Sequence, residues 1–579
     1  MLAVGTVASS LGIGLFAAFP ALQLAQRQMV RMAGIETAPI LIKEIPGIGL
    51  LNPYTYEDED GGWDGEAMDV QLTPDGGFII AGSIEKDPAK NTPQPYLLKI
   101  YGSNRPTPDA LLNKEWSIVV PADGAARSVM PVFNKKDPAT RTLESYVIAG
   151  HITNGTSLDG FAAQYGINGN PTPRWTKTYG LATDADTVQS IQQVFNDAGE
   201  KNGFVLTGFR IEIATRKKLI LLIKIDDSGN LDPSWPQNPK SISIGEFGKD
   251  VAYAVRQSFT ENGAPNGYIL AGQTAKTAAN LEALALKLTE RGELDTTAWP
   301  AEGGNPAGIR LFGGEREESF NDVELKYDAL GRAVGYIFGG FSKSFNALRP
   351  GDASPYLVVL DRRGATLLQK VESMTVSPTY AVEQTFNALH QPNGYILAGK
   401  YNFGIPSFDT YGLRMDTAGA YHWRIMSSGM DVDIANAIKQ TPDGGFIMVG
   451  KTYSRTYIEV PDPKPSNLYV ELYGPEPVPP APELPDSANL PFRRGDANIS
   501  SGVDLADAVF TLAGLFLGGP QPACEDAADS NDSGNLDLAD PVFTLSYLFL
   551  GTGELPPAPG PVTKGPDPTE DPLTCGQYP

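Results

Sequence analysis

Apolar residues in this chain gather into short runs set off by turn-forming residues. One such stretch, QLTPDGGFIIAG at 71–82, returns almost letter for letter as KQTPDGGFIMVG at 439–450. Between the two, the same core recurs as SYVIAG (145–150), GFVLTG (203–208), GYILAG (267–272), GYIFGG (335–340) and GYILAG (394–399), which makes seven copies. Asp-Gly-Gly or Asn-Gly ahead of the core supplies the positive φ of a tight hairpin turn. The four apolar residues that follow predict a short strand buried on both faces. The glycine that closes each core predicts a bend or a close backbone approach.

A second apolar run follows downstream: YLLKIYG (96–102), LILLIKIDDSGN (219–230), EALALKLTERGE (282–293), YLVVLDRRGA (356–365), YGLRMDTAGA (411–420) and LYVELYG (468–474). A tryptophan comes next in five units, Trp116, Trp175, Trp235, Trp299 and Trp423, at intervals of 59, 60, 64 and 124 residues. The last interval spans two units, with Leu367 and Leu368 where a tryptophan is missing. Upstream of the turns lie strands of the type DVAYAVRQS (250–258) and DIANAIKQT (433–441). Four strands per unit of about 60 residues, repeated seven times, predict a mainly β chain, a seven-bladed β-propeller of four-stranded blades. A β-solenoid would need a shorter, more regular period.

Over residues 40–475 the chain resembles bacterial extracellular propellers whose blades carry a DGGYILAG core, a likeness that implies the fold and no particular activity. The seventh unit lacks its own tryptophan strand, because PEPVPPAPELP follows Gly474 and proline cannot pair in a sheet. The segment APILIKEIPG (38–47) has strand composition and is expected to supply that outer strand and lock the ring.

Net charge is −23, and no basic cluster exceeds Arg362-Arg363 or Arg493-Arg494, which argues against nucleic acid and anionic membranes as partners. The charge suits a secreted protein with calcium sites. The two cysteines, Cys524 and Cys575, argue against a zinc or iron–sulfur centre and are expected to form a disulfide tying down the C-terminal tail in an oxidising compartment. His151, His390 and His422, placed in different blades, are expected to be structural.

Residues 1–26 carry no charged side chain, enough to span a membrane as a helix. A removed signal peptide is one reading, although the first basic residues, Arg27 and Arg31, follow the apolar run. The segment GIGLFAAFPALQLAQRQ (12–28) resembles the N-terminal helix of type IV pilins and pseudopilins, on Gly12, Pro20 and the polar Gln23–Arg31 continuation. It lacks their acidic residue, having Ala3 and Gly5 there. That resemblance implies a retained helix that assembles or anchors.

The expected domains are therefore an apolar helix (1–36), the propeller (37–475), a proline-rich linker (476–491) and a C-terminal module (492–579). In the module GDANISSGVDLADAVFTLAGLFLGG (495–519) is echoed 33 residues later by ADSNDSGNLDLADPVFTLSYLFLGT (528–552). The spacing is that of an EF-hand-like loop, with oxygen ligands at positions 1, 3, 5, 9 and 12 and a carbonyl at 7. The first loop offers Asp496, Asn498, Ser500, Gly502 (carbonyl), Asp504 and Asp507. The second offers Asp529, Asn531, Ser533, Asn535 (carbonyl), Asp537 and Asp540. Gly534 fills the sharp-turn position, where the first copy has Ser501 and a strained loop is expected. Each loop leads into an apolar helix, and the two helices must pack together. Residues 493–552 thus resemble a type I dockerin, which implies a small all-α module holding two calcium ions and docking onto a cohesin-like partner.

No Ser-His-Asp order, histidine-rich metal set or arginine triad is present, so no catalytic residue is assigned and the chain is not expected to be an enzyme. Recurring acids before the first strands, Asp64, Asp123, Asp184, Asp250, Asp322 and Asp431, suit turn or strand-capping roles. The leading expectation is an extracellular or cell-surface structural protein, a filament or surface subunit that partners copies of itself or a cohesin-like surface protein. The alternative is a secreted propeller that binds polysaccharide or protein, and a glycoside-processing enzyme comes last.

Overall fold

The structure is a computed structural model that describes residues 50–56, 65–85, 92–102, 113–155, 157–181, 183–275, 277, 280–346, 350–374, 376–402, 408–427, 432–453, 467–474, 491–516, 520–550, 556–569, 573 and 575. Two compact units divide it, Met1–Glu476 and Pro477–Pro579, and each is described by itself. The apolar segment 1–36 and the linker 476–490 lie outside the described residues. Among the described residues no helix is long and apolar enough to cross a membrane.

The first unit is a seven-bladed β-propeller of seven four-stranded antiparallel sheets. The first strands of blades one to seven are Gly65–Leu72, Gly124–Phe133, Asp184–Phe195, Val251–Phe259, Glu318–Tyr327, Thr379–Phe386 and Asp433–Gln440. Each touches its counterpart in the adjacent blade, and the seventh touches the first, so together they form an inner ring. Each repeated core forms the second strand, buried on both faces, as Phe78–Ile84 and Phe446–Thr452 show in the first and last blades.

Every first strand carries a β-bulge, and in every blade it falls opposite the glycine that closes the core. A Cβ on Gly82, Gly150, Gly208, Gly272, Gly340 or Gly450 would stand 1.8–2.0 Å from a carbonyl oxygen of the first strand, and one on Gly399 would stand 2.1 Å from that of Pro378, just ahead of it. Only glycine permits that approach, so the closing glycine of the sequence motif is the cause of the bulge.

The chain closes its ring through its N-terminal part. The strand Leu50–Tyr56 pairs antiparallel with Asn467–Tyr473 and completes the seventh blade. Segment 38–47, the expected closing strand, lies outside the described residues. Supply of the missing strand by the N-terminal part holds, but from 50–56. Composition favoured the Ile-rich 38–47, whereas the backbone that pairs is LLNPYTY, in which Asn and Pro mask the strand signal.

The tryptophans join blades. Trp116, Trp175, Trp235, Trp299 and Trp423 meet Tyr146, Phe204, Tyr268, Tyr336 and Phe446, the aromatics at the start of the next blade's core, with centroids 5.7–6.4 Å apart. Trp116, Trp175, Trp235 and Trp299 also cover the glycine turn after the next blade's third strand, at Gly169, Gly229, Gly292 and Gly364. Leu368 covers Gly419 in the same way and stands in for the missing tryptophan. Trp235 and Trp299 lie in loops ahead of the outer strands Lys240–Ile242 and Ile309–Phe312 and not within them. Contact with the next blade fixes their place, whatever strand bounds the local backbone reaches.

The second unit contains α1 (Leu505–Phe516), α2 (Glu525–Ala528) and α3 (Ala539–Phe549), and α1 packs against α3 as the shared apolar pattern requires.

Candidate functional site

The two oxygen-rich loops of the second unit repeat each other group by group. Asp496 accepts hydrogen bonds from the amides of Ser500 (2.8 Å) and Ser501 (3.0 Å), and Asp529 from those of Ser533 (3.1 Å) and Gly534 (2.8 Å). Asp507 accepts from the amides of Asn498 (3.0 Å) and Asp504 (2.8 Å), and Asp540 from that of Asp537 (2.7 Å). The hydroxyls of Ser500 and Ser533 donate to the carbonyls of Gly502 and Asn535, each at 3.1 Å. Asp504 and Asp537 accept from the amides of Ala506 and Ala539 where the helices begin, each at 2.7 Å. Ser501 stands at φ +77°, matching Gly534 at +75°. The left-handed backbone is costly for serine, so the first loop carries the expected strain.

Several oxygens in these loops lack a hydrogen-bond partner. Asn498 Oδ1, Asn531 Oδ1 and Asp540 Oδ1 are buried without one. Asp496, Asp507, Asp529 and Asp540 are themselves at most 1% exposed. Burial, with Asp529 beside it, pushes Asp540 up to about 7, and burial raises Asp507. Crowded carboxyls and orphaned amide oxygens are what a hard divalent cation relieves, and an oxygen-only donor set suits calcium over zinc. Among the described residues no group of three or more His, Cys, Asp or Glu side chains converges on one point. The carboxylates are instead turned onto the loops' own amides, and the remaining donors are neutral amide, hydroxyl and carbonyl oxygens.

The helices present duplicated apolar residues to solvent. Leu505, Val509 and Phe516 are 50–61% exposed, and their counterparts 33 positions on, Leu538, Val542 and Phe549, are 52–66% exposed. The tail is tied by the Cys524–Cys575 disulfide, as expected.

In the propeller each bulge leaves one residue of the inner ring of strands outside the ladder register: Met68, Arg127, Gln189, Tyr253, Asn321, Tyr380 and Asn436. Three residues on, a second ring holds Gln71, Met130, Gln192, Arg256, Glu324, Glu383 and Lys439. Here Arg256 grips Glu324 through two nitrogens at 2.8 and 3.1 Å and lies 3.4 Å from Asp322. Lys439 lies 2.9 Å from Glu324 and 3.7 Å from Glu383. These five side chains keep 14–20% of their surface exposed. Burial, with Glu324 nearby, lifts Glu383 to about 7 against the pull of Lys439. Burial likewise raises Asp322, while Arg256 and Lys439 overcome it at Glu324 and hold that carboxyl low.

Three residues further along, Phe133, Phe195, Phe259, Tyr327 and Phe386 end the first strands of blades two to six. Gln193, Gln257, Gln384 and Gln440 each reach back a blade and clasp the backbone N–H and C=O of Phe133, Phe195, Tyr327 and Phe386 at 2.6–3.0 Å. At the junction of blades four and five Leu325 takes the glutamine's place. Beside it opens a cavity of about 550 Å³ lined by Phe259, Tyr327, Lys136, Glu261 and Arg332 among others. Lys136 reaches it from blade two, over the Phe259 ring at 3.6 Å and donating to the Gly263 carbonyl at 2.6 Å.

Among the recurring acids, Asp250 begins the fourth blade and accepts from Thr274 at 2.6 Å, a capping role. Asp322 departs from that pattern. It lies within a first strand and accepts from the Val382 amide of the next blade at 3.1 Å, as Asp69 does from Val129 at 2.9 Å. Asp64 and Asp431 lie outside the described residues. His390 and His422 share blade six, contrary to expectation, one in its hairpin turn and one in its outer strand, because that unit ends late enough to include both. His151 is lowered to about 4 by burial and by Arg127. Sequence reasoning missed the channel rings and the glutamine clasps. Their signal was a charged residue and a glutamine side by side at the polar end of a strand, as in AVRQS, AVEQT and AIKQT.

No known protein family matches this chain, and no curated protein does. Among solved structures, Sqt1 from Chaetomium thermophilum aligns with a TM-score of 0.39 at 11% identity, covering 73% of this chain and 90% of that one. A second Sqt1 structure gives 0.38 at 12% identity over 68% and 81% of the two chains. Sqt1 bound to the N-terminus of the ribosomal protein L10 gives 0.38 at 12% over 70% and 85%. The propeller is established by this chain's own strand order, seven sheets of four strands closed by the N-terminal strand.

Proposed function

We propose that this chain is an extracellular or cell-surface building block in which a rigid propeller is displayed and a calcium-stabilised, dockerin-like unit docks onto a protein partner. The duplication carries this reading. Two loops with orphaned buried oxygens each precede a helix that leaves an equivalent apolar triplet in water. Each loop would hold one calcium ion, the first through Asp496, Asn498, Ser500, Asp504, Asp507 and the Gly502 carbonyl, and the second through Asp529, Asn531, Ser533, Asp537, Asp540 and the Asn535 carbonyl. Calcium would neutralise the buried carboxyls and fix the helices, so the apolar triplets would stand at a set spacing for a cohesin-like surface or for another copy of the chain.

Sedimentation of the full chain in calcium and in EDTA tests the assembly. Calcium should support larger species that disperse on chelation, and Val509→Asp with Val542→Asp should disperse them while calcium is present. Identical sedimentation in all three conditions would leave a monomer. The cavity at the junction of blades four and five, with two aromatic rings and mixed charge, favours a second reading, a secreted propeller that binds polysaccharide or protein. Binding of soluble polysaccharide that is lost in Tyr327→Ala would favour it over the first.

A further inference from the structure

Two adjacent arginines outside the ligand sets each hold one of the loops. Arg493 Nη1 donates to the carbonyl of Ser501, the sixth residue of the first loop. Arg494 is fully buried and donates from Nη1 to the carbonyls of Asp526 (3.2 Å) and Asp529 (3.0 Å), the latter being the residue that opens the second loop. Its Nη2 lies 2.9 Å from the carboxylate of Asp532, the fourth residue of that loop. The amide of Gly495 donates to the Ala527 carbonyl at 2.7 Å, and Asp496, the first ligand of the first loop, comes next. A run of four residues, 493–496, therefore touches both loops.

The run has no counterpart in the second repeat, where the 33-residue shift places Asp526 and Ala527. One lead-in serves both loops. The tail closes over it: Arg494 Nε donates to the Ala558 carbonyl at 3.1 Å and Nη2 to Asp567 at 2.7 Å. Thr569 donates to Asp532 at 2.7 Å, and Phe492 exchanges backbone hydrogen bonds with Gly565 at 2.9 and 3.1 Å. A planar guanidinium with this many acceptors is a stiff node that cannot follow one loop without moving its other partners.

We propose that Arg493 and Arg494 yoke the two loops, so that an ion taken up by one preorganises the other, with the C-terminal tail holding the yoke in place. This rests on the calcium reading above. It goes further in assigning the two arginines a positioning role and the two ions a coupling, which must act equally in both directions.

The test is calorimetric titration of the chelator-stripped full chain with calcium chloride. Wild type should take up two ions with positive cooperativity. Asp529→Asn should weaken the remaining first loop as well, and Arg493→Met or Arg494→Lys should lower affinity about tenfold and abolish the cooperativity, as loss of a residue that orients metal ligands does. Two independent uptake steps that neither arginine variant changes would overturn the proposal. Hydrogen exchange in EDTA gives a reading that does not depend on the ion. Arg494→Lys should speed exchange at Ser533 and Gly534, Arg493→Met should speed it at Ser500 and Ser501, and propeller peptides should not change. Unaltered exchange in both variants overturns the yoke. If wild type takes up no calcium, the calcium reading falls and the coupling with it, while exchange still reports whether the arginines hold the loops.

Discussion

The ring and the C-terminal unit solve the same problem with opposite materials. In the ring each apolar cluster spans adjacent blades, as Ile447, Val449 and Val470 of blade seven pack with Ile80 and Leu98 of blade one. In the C-terminal unit the corresponding cluster is Phe492, Cys524, Ala527 and Cys575, and the deeply buried side chains include Asp496, Asp507, Asp529, Asp540 and Arg494. A small unit with short helices has too little apolar area to bury, and charge pairing and a disulfide take over, joined by the cation proposed above. The ring should therefore be indifferent to solvent ions, and the unit should depend on them.

Chelation should give the largest separation between the two. EDTA, or Asp496→Ala with Asp529→Ala, is expected to unfold residues 495–552 and open them to protease, with the ring's melting transition unmoved in the same calorimetric scan. A ring transition that shifted with chelation would break the comparison.

Within the ring the sharpest loss should follow deletion of residues 50–56, which strips the outer strand from blade seven and leaves the edge of Asn467–Tyr473 open to aggregation. Deleting 38–47 in parallel, read by melting temperature, separates the closing strand from the rest of the N-terminal part. A smaller cost is expected for Trp299→Ala, about 3–5 kcal/mol by denaturant titration, because the ring lies fully buried on the next blade. Leu368→Ala, on the half-buried substitute, should cost less.

The smallest effect belongs to the channel acids. Glu383 has a folded value of about 7 against an ordinary 4.5, so between those values the folded ring holds a proton that the unfolded chain has released. That contribution is present below pH 4.5 and fades as pH rises to 7. Glu383→Gln should flatten the slope over this window and raise the melting temperature at pH 8 by a few degrees. Equal pH profiles for both proteins would place the Glu383 carboxyl in ordinary solvent.

The seven-fold repeat was legible because hairpin glycines and core strands are local signals, each unit restating them. The duplication of the two C-terminal loops was legible because residue spacing is a local matter too. The closing strand was misplaced because pairing in 50–56 is imposed by an unpaired neighbour and not by its own composition. The channel rings were missed for a related reason. An isolated Arg256 or Glu383 looks like any solvent-facing residue, and only the bulge and the closed circle bring them together. Arg494 was visible as half of a basic pair, but nothing in the spacing places it against a loop 35 residues away.

The bulges have a further consequence. Each is set by a glycine contact on the backbone, so the side chain it carries is free to vary, although Asn321 and Asn436 donate to the Thr379 and Ala67 carbonyls of the next blade. The chain already holds Met, Arg, Gln, Tyr, Asn, Tyr and Asn at these seven places on one unvarying backbone. Exchanges at Gln189 should therefore re-line the bore while the melting temperature hardly moves, whereas exchanges at Asn321 or Asn436 should also loosen a junction between blades.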